Sequence, residues 1–189
     1  MKKLIIPFVV VFALACGNDE SKDSVDMAKE ENRATDSANM TVADSLGAYK
    51  NFLVEAASGG MMEVQLGEYA SANAASSAVK QFGRMMVTDH SKGNTILTGI
   101  AQSKAIAIPN VPGEEHQKHI DELKKKKGAE FDKDYMDMMV EDHEEDIKKF
   151  EDASEHAKDQ DIRKFAAEQV PILKKHLNAA KKVRDGLKN

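Results

Sequence analysis

Cysteine, tryptophan and strand-forming runs are scarce in this chain, and each scarcity removes an option. The only cysteine is Cys16, so no intrachain disulfide can form, even in an oxidising compartment. There is no tryptophan and aromatics make up 5% of the residues, so any core must be built from Leu, Ile, Val, Ala and the ten methionines. Runs of β-branched residues with a two-residue period are missing, which argues against a sheet. Positive charge is not in excess: 27 Lys and Arg stand against 32 Asp and Glu, a net −5. Such a surface gives no reason to expect nucleic-acid binding. The single basic block, Lys124 to Lys127, reads as the solvated end of a helix. No nucleophile motif, phosphate loop or paired-carboxylate motif is present, so an enzyme is the weakest of the functional readings.

Long apolar runs are also missing, apart from one at the start. Met1-Lys2-Lys3 is a short basic opening, and Leu4 to Ala15 is apolar but too short to span a bilayer stably. This is the layout of a signal peptide. Ala13-Leu14-Ala15-Cys16 resembles a bacterial lipobox, in which the cysteine is diacylated and becomes the mature N-terminus. It departs from the usual pattern at Ala13, where an aliphatic residue is favoured. The expectation is a lipoprotein-type signal over 1–15 and a covalent lipid on Cys16. The following Cys16-Gly17-Asn18-Asp19-Glu20 resembles the acidic stretches after the lipidated cysteine of some surface-exported lipoproteins.

From Gly17 to about Asp44 the chain is Asp, Glu, Lys, Ser, Asn and Ala with few large apolar residues. Such a segment buries too little surface to offset chain entropy. Residues 16–44 are therefore expected to form a disordered acidic tether with an r.m.s. span of about 30 Å.

Beyond the tether, a helical period dominates. Four long helices are expected, over about Leu46–Asn73, Ser76–Ile106, Glu130–Ala157 and Asp159–Leu187. A short charged helix, Glu114–Lys127, falls in the connection after Pro109 and Pro112-Gly113. Ser58-Gly59-Gly60 either breaks the first helix or lets a neighbour approach closely, and the second is favoured. Asp159 is a candidate N-cap, and Pro171 a candidate kink. The fold class is all-α: a four-helix bundle over 45–189 with a short extra helix between helices two and three.

One phrase occurs twice. Met85-Met86-Val87-Thr88-Asp89-His90 and Met138-Met139-Val140-Glu141-Asp142-His143 each set a histidine on the apolar stripe of a long helix. Phe82, Met86, His90, Gly93 and Leu97 make one stripe, and Met136, Met139, His143 and Phe150 the other. Helix four adds His176 between Leu173 and Ala180, and helix one adds Glu63 between Gly60 and Leu66. Each long helix thus aims one polar group inward. A buried carboxylate must be protonated, paired or metal-bound. Three imidazoles and a carboxylate suit zinc, iron or copper. Asp89 and Asp142, about 100° around from their histidines, are candidates to orient the imidazoles, and Tyr135 is a candidate donor to the site. A copper variant would recruit Met86 and Met139. His116 and His119 are expected on an exposed face, and His156 at a helix C-terminus.

The segments Glu63-Val64-Gln65-Leu66-Gly67, Met86 to His90, Glu130 to Tyr135, Asp142-His143 and Val170 to Leu177 resemble, in this order, a bacterial family of unknown function often labelled "predicted outer membrane protein". The resemblance covers about Tyr49 to Leu187. It implies an exported protein, often a lipoprotein, with a ferritin-like helical domain, and it supplies no activity. A ferroxidase centre is disfavoured, because Val87, Val140 and Leu173 stand where Glu-x-x-His would need a glutamate. Two expectations lead. One is a lipid-anchored envelope protein, placed at the bacterial outer membrane, that holds a transition metal through Glu63, His90, His143 and His176. The other is a non-catalytic structural or envelope-partner-binding module whose Glu/His cluster is an internal hydrogen-bond network. The membrane, through the lipid, is the expected partner of both.

Overall fold

The computed structural model describes residues 22–38 and 49–188. Cys16 and the signal segment lie outside the described residues, as do 39–44 of the expected tether. Among the described residues the protein is all-helical, with six helices and no strand. They are α1 (Ser24–Ala38), α2 (Tyr49–Asn73), α3 (Ser77–Ser103), α4 (Glu114–Lys125), α5 (Gly128–His156) and α6 (Gln160–Gly186). None is long and apolar enough to cross a membrane.

Local chemistry sets most of the boundaries. Ser76 accepts from Ala78 N–H at the start of α3, and Asp159 accepts from Asp161 and Ile162 N–H at the start of α6. The α3 helix stops at Ser103 rather than Ile106. Ala105 turns left-handed at φ 52°, and Ile106 N–H closes on Ala101 C=O. Gly128, the first residue of α5, is also left-handed at φ 58° and turns the chain out of α4. Pro171 sits on the exposed side of α6 and the helix runs through it.

The α2 helix is unbroken at Ser58-Gly59-Gly60, as the close-approach reading required. A Cβ on Gly60 would lie 2.1 Å from Asn94 Oδ1. Further along, Gly67 and Gly83 face each other's backbone: a Cβ on either would come within 2.8 Å of the other's carbonyl oxygen. Missing side chains thus let α2 and α3 pack backbone to backbone.

Side-chain pairs give the helix directions. Phe52 meets Phe150 and Tyr69 meets Phe131, so α2 and α5 are antiparallel. Lys104 meets Asp159 and His90 meets His176, so α3 and α6 are antiparallel. Phe82 meets Tyr135 and His90 meets His143, so α3 and α5 are parallel. Two parallel helices adjacent in the order need a long crossover, and residues 104–127 with α4 provide it.

The interior has two apolar layers. One gathers Leu66, Phe82, Met86, Phe131, Met136 and Met139, and the other Leu53, Leu97, Phe150, Phe165 and Leu173. All four long helices contribute to both.

The tether expectation fails for part of its length. Ser24–Ala38 is a helix whose Val25 and Ala28 pack on Val54 of α2. Composition averaged away one face, because Val25, Ala28 and Asn32 share it at helical spacing. Polar contacts do the rest. Asn32 donates to Ala107 C=O at 2.9 Å and accepts its N–H at 2.8 Å, Asp23 accepts Glu114 N–H, and Lys29 and Asp36 pair with Glu55 and Lys50. Helix α1 therefore straps the crossover down onto α2.

Candidate metal centre

The polar groups sit at the seam between the two apolar layers. On α2, Glu63 falls between Ala57 and Leu66, and on α3, His90 falls between Met86 and Leu97. On α5, His143 falls between Val140 and Ile147, and on α6, His176 falls between Leu173 and Ala180. Glu63, His143 and His176 are fully buried and His90 nearly so. The four expected residues therefore do share one level. Helical spacing could place each on a core face, but only the antiparallel packing puts them at the same height.

The three imidazoles form a near-regular triangle, with ring centroids 5.1, 5.4 and 5.6 Å apart. A ring nitrogen of each lies within 4.8 Å of the others, and Glu63, Asp142 and His143 form a second such group. Hydrogen bonds fix which nitrogens face inward. His143 Nδ1 lies 2.9 Å from Met139 C=O, an acceptor, so Nδ1 carries the proton and Nε2 presents a lone pair. His176 Nε2 lies 2.9 Å from Asp89 Oδ2, so it donates there and Nδ1 presents a lone pair. These two lone pairs face each other at 3.4 Å. Glu63 Oε1 stands 3.5 Å from the same His143 Nε2, and the Glu63 carboxyl also makes a side-chain hydrogen bond with Asp142. Glu63 Oε2 takes a 2.6 Å contact from His90 Nδ1, which leaves His90 Nε2 unpartnered.

Electrostatics sharpens the puzzle. Burial drives His143 well below its ordinary pKa, and the neighbouring imidazoles push the same way. Burial likewise takes His90 and His176 down to about 4. A proton shared between His143 and His176 would make an imidazolium, the form that burial opposes. Burial, with the charge of Asp146, raises Glu63 well above its ordinary value, and burial with the charge of Glu63 does the same to Asp142. Burial thus disfavours charge on every group: the raised carboxyls keep their protons and the depressed imidazoles shed theirs, so neutral carboxyl and imidazole groups converge here. In tetrahedral coordination with bonds near 2.05 Å, ligand atoms stand about 3.3 Å apart. The spacing of the converging groups fits a transition-metal ion.

The surrounding residues divide. Asp89 accepts from His176 of another helix rather than from its neighbour His90, and Lys175 holds Asp89 from outside at 2.8 Å. Asp142 comes closer than an orienting role requires, because it belongs to the group with Glu63 and His143. Tyr135 is buried beside the site, but its hydroxyl bonds to nothing. Met86 and Met139 are buried in the apolar layer. His156 stands in the last turn of α5, at the helix C-terminus expected for it, and His119 is exposed as expected. His116 is not: it is half-buried, with Nδ1 2.6 Å from Ser58 Oγ, because α4 lies against α2. Sequence reasoning missed Asp146. It stands one turn after His143 on the same helix, and its charge bears on both His90 and Glu63. The i, i+3 spacing from His143 was the available signal.

Residues 31–183 match the family described as a domain of unknown function, DUF4142. The chain belongs to that family. It matches no curated protein and no solved structure. The matched DUF4142 domain opens at residue 31, within α1, rather than at Tyr49. That agrees with α1 being packed onto the helices instead of leading up to them.

Proposed function

We propose that this protein binds a transition-metal ion through Glu63, His90, His143 and His176, with zinc, iron and copper as the candidates. The observation that carries the reading is His143 Nε2, a buried lone pair facing His176 Nδ1 at 3.4 Å and Glu63 Oε1 at 3.5 Å. Either tautomer of His143 leaves two acceptors opposed, at this nitrogen or at Met139 C=O. A cation relieves the opposition; the competing hydrogen-bond network needs the proton that burial keeps on Glu63. Asp89 and Met139 C=O behind the imidazoles supply the outer contacts that metal-bound histidines use.

The helix directions, with one long crossover, support a ferritin-like four-helix bundle. The missing Glu-x-x-His motifs set it apart from a ferroxidase, so binding or sensing suits it better than iron oxidation. The leader layout and Cys16 support a lipid-anchored protein of the bacterial envelope, at the outer membrane, with α1 to α6 held off the bilayer.

Elemental analysis of untagged protein from its native envelope is expected to find a stoichiometric transition metal. Its absence, together with no metal-dependent rise in melting temperature for zinc, iron(II) or copper, would transfer the assignment to a structural or partner-binding module. Cys16→Ser is expected to release the protein from membranes or stall its processing. Wild-type protein that takes up no labelled fatty acid and fractionates as soluble would end the lipoprotein assignment.

A further inference from the structure

A site closed above and below by apolar layers needs a lateral route for its cation. One cavity of about 520 Å³ lies between α2, α4 and α5. Seven carboxyl groups line it against one lysine, Lys149. Glu115, Glu141, Glu145 and Asp152 are exposed and form its outer part, while Asp142 and Asp146 are more buried and form its inner wall. Lys149 lies 4.0 Å from Glu145 and 3.7 Å from Asp146, and Lys29 of α1 pairs with Glu55, so the negative excess is only partly offset.

Two connections join this cavity to the candidate centre. Asp142 lines it and also belongs to the ligand group with Glu63 and His143. Its Oδ2 is sealed from solvent, and its carboxyl makes a side-chain hydrogen bond with Glu63. Asp146 lines it and also lines a second small cavity of about 20 Å³, which is bordered by Glu63 and His90. That volume admits about one water-sized species. Asp142 and Asp146 thus link the carboxyl-lined cavity to Glu63.

We propose that this cavity is the loading chamber of the centre: a hydrated divalent transition-metal cation is drawn in by the outer carboxylates, exchanges water for Asp142, and passes to Glu63 and His143. The proposal rests on the metal reading above. Clefts lined by one sign of charge raise association rates by roughly 10- to 1,000-fold, and salt suppresses the effect.

The test uses cobalt(II), whose absorbance reports its coordination, mixed rapidly with the full chain. Glu141→Gln with Glu145→Gln is expected to slow loading about tenfold at low ionic strength. The gap should close at about 1 M salt, where the screening length is about 3 Å. Glu68→Gln with Glu168→Gln removes the same charge from exposed positions on α2 and α6 and should change the rate little. Gly59→Leu supplies a steric arm. Gly59 lines the cavity, and its Cβ would meet the His116 ring at 3.7 Å, an ordinary contact. Leucine there should slow loading at every salt concentration and leave the final cobalt spectrum unchanged. If both chamber variants load at the rate of the remote pair, the route is wrong and the metal site stands. If the wild type binds neither cobalt(II) nor zinc, site and chamber fall together.

Discussion

The apolar layer around Phe82, Phe131 and Met139 and the polar level one turn away are cut from the same four helices, yet they depend on different physics. The apolar layer is held by packing alone, even with the buried Tyr135 hydroxyl left without a hydrogen bond. Phe131 stacks on Tyr135 at 5.5 Å and meets Tyr69 edge-on at 5.1 Å, and Leu66 and Met136 have no exposed surface. Its stability is burial and close packing, and any change costs the atoms removed plus the void left. The polar level is equally buried but holds titratable groups against each other, with His90 Nε2 lacking a partner and Glu63 and Asp142 held face to face. One layer is held by packing, and the other gathers groups that could hold a metal ion.

That contrast is open to direct attack. The largest effect is expected in the apolar layer. Phe131→Ala should cost about 4 kcal/mol in chemical denaturation, by the same amount with and without metal. A cost that changes with metal would mean that the layers are not independent. Next comes the polar level. At metal 100-fold above the dissociation constant, the wild type should gain about 3 kcal/mol, and His143→Ala and Glu63→Ala should lose most of that gain. His116→Ala should keep the full increment. A gain that survives in His143→Ala and disappears in His116→Ala would move the site to the α2–α4 interface.

Smaller effects test the contacts that hold the two layers in register. Asn32→Ala leaves Ala107 N–H and C=O without their partners and should cost about 1–2 kcal/mol in thermal unfolding, independent of metal. No loss at all would mean that α1 does not strap the crossover. Asp159→Ala removes the cap of α6 and should cost about 1 kcal/mol at neutral pH. Burial pushes Asp159 up, but Lys104 and the Ile162 and Asp161 N–H groups more than reverse this and hold it below its ordinary value. A depressed carboxyl stabilises the fold above its unfolded pKa, about 3.9, and that contribution is lost as pH falls through the folded value. The difference between wild type and Asp159→Ala should therefore be constant from pH 5 upward and shrink below about pH 4. A difference that grows in acid would contradict the sign.

The strip of inward polar residues was readable because a helix repeats every 3.6 residues. Once Met86 and Leu97 are assigned to a core face, His90 goes with them, and the same holds for His143 with Met139. The Asp159 cap and the close approach at Gly60 were also readable, since each rests on one residue's local chemistry. The helix at Ser24–Ala38 was missed because its apolar face is only Val25 and Ala28, too thin for composition to register. Its stability comes from Asn32 meeting Ala107, 75 residues away. His116 was placed on the surface because nothing local marks Ser58 as its partner.

The sequence by itself determined an all-helical chain, the faces its helices bury and the residue types aimed inward, because these follow from periodicity and from contacts within a few positions. Tertiary structure alone decided that Glu63, His90, His143 and His176 stand at one height. It also decided that Asp142 and Asp146 join them, and that carboxyl and imidazole groups are buried face to face. Those facts depend on the directions and offsets of whole helices, which are set by close packing at pairs such as Gly67 and Gly83 and by a crossover that turns α5 parallel to α3. No pattern within a single helix carries that information.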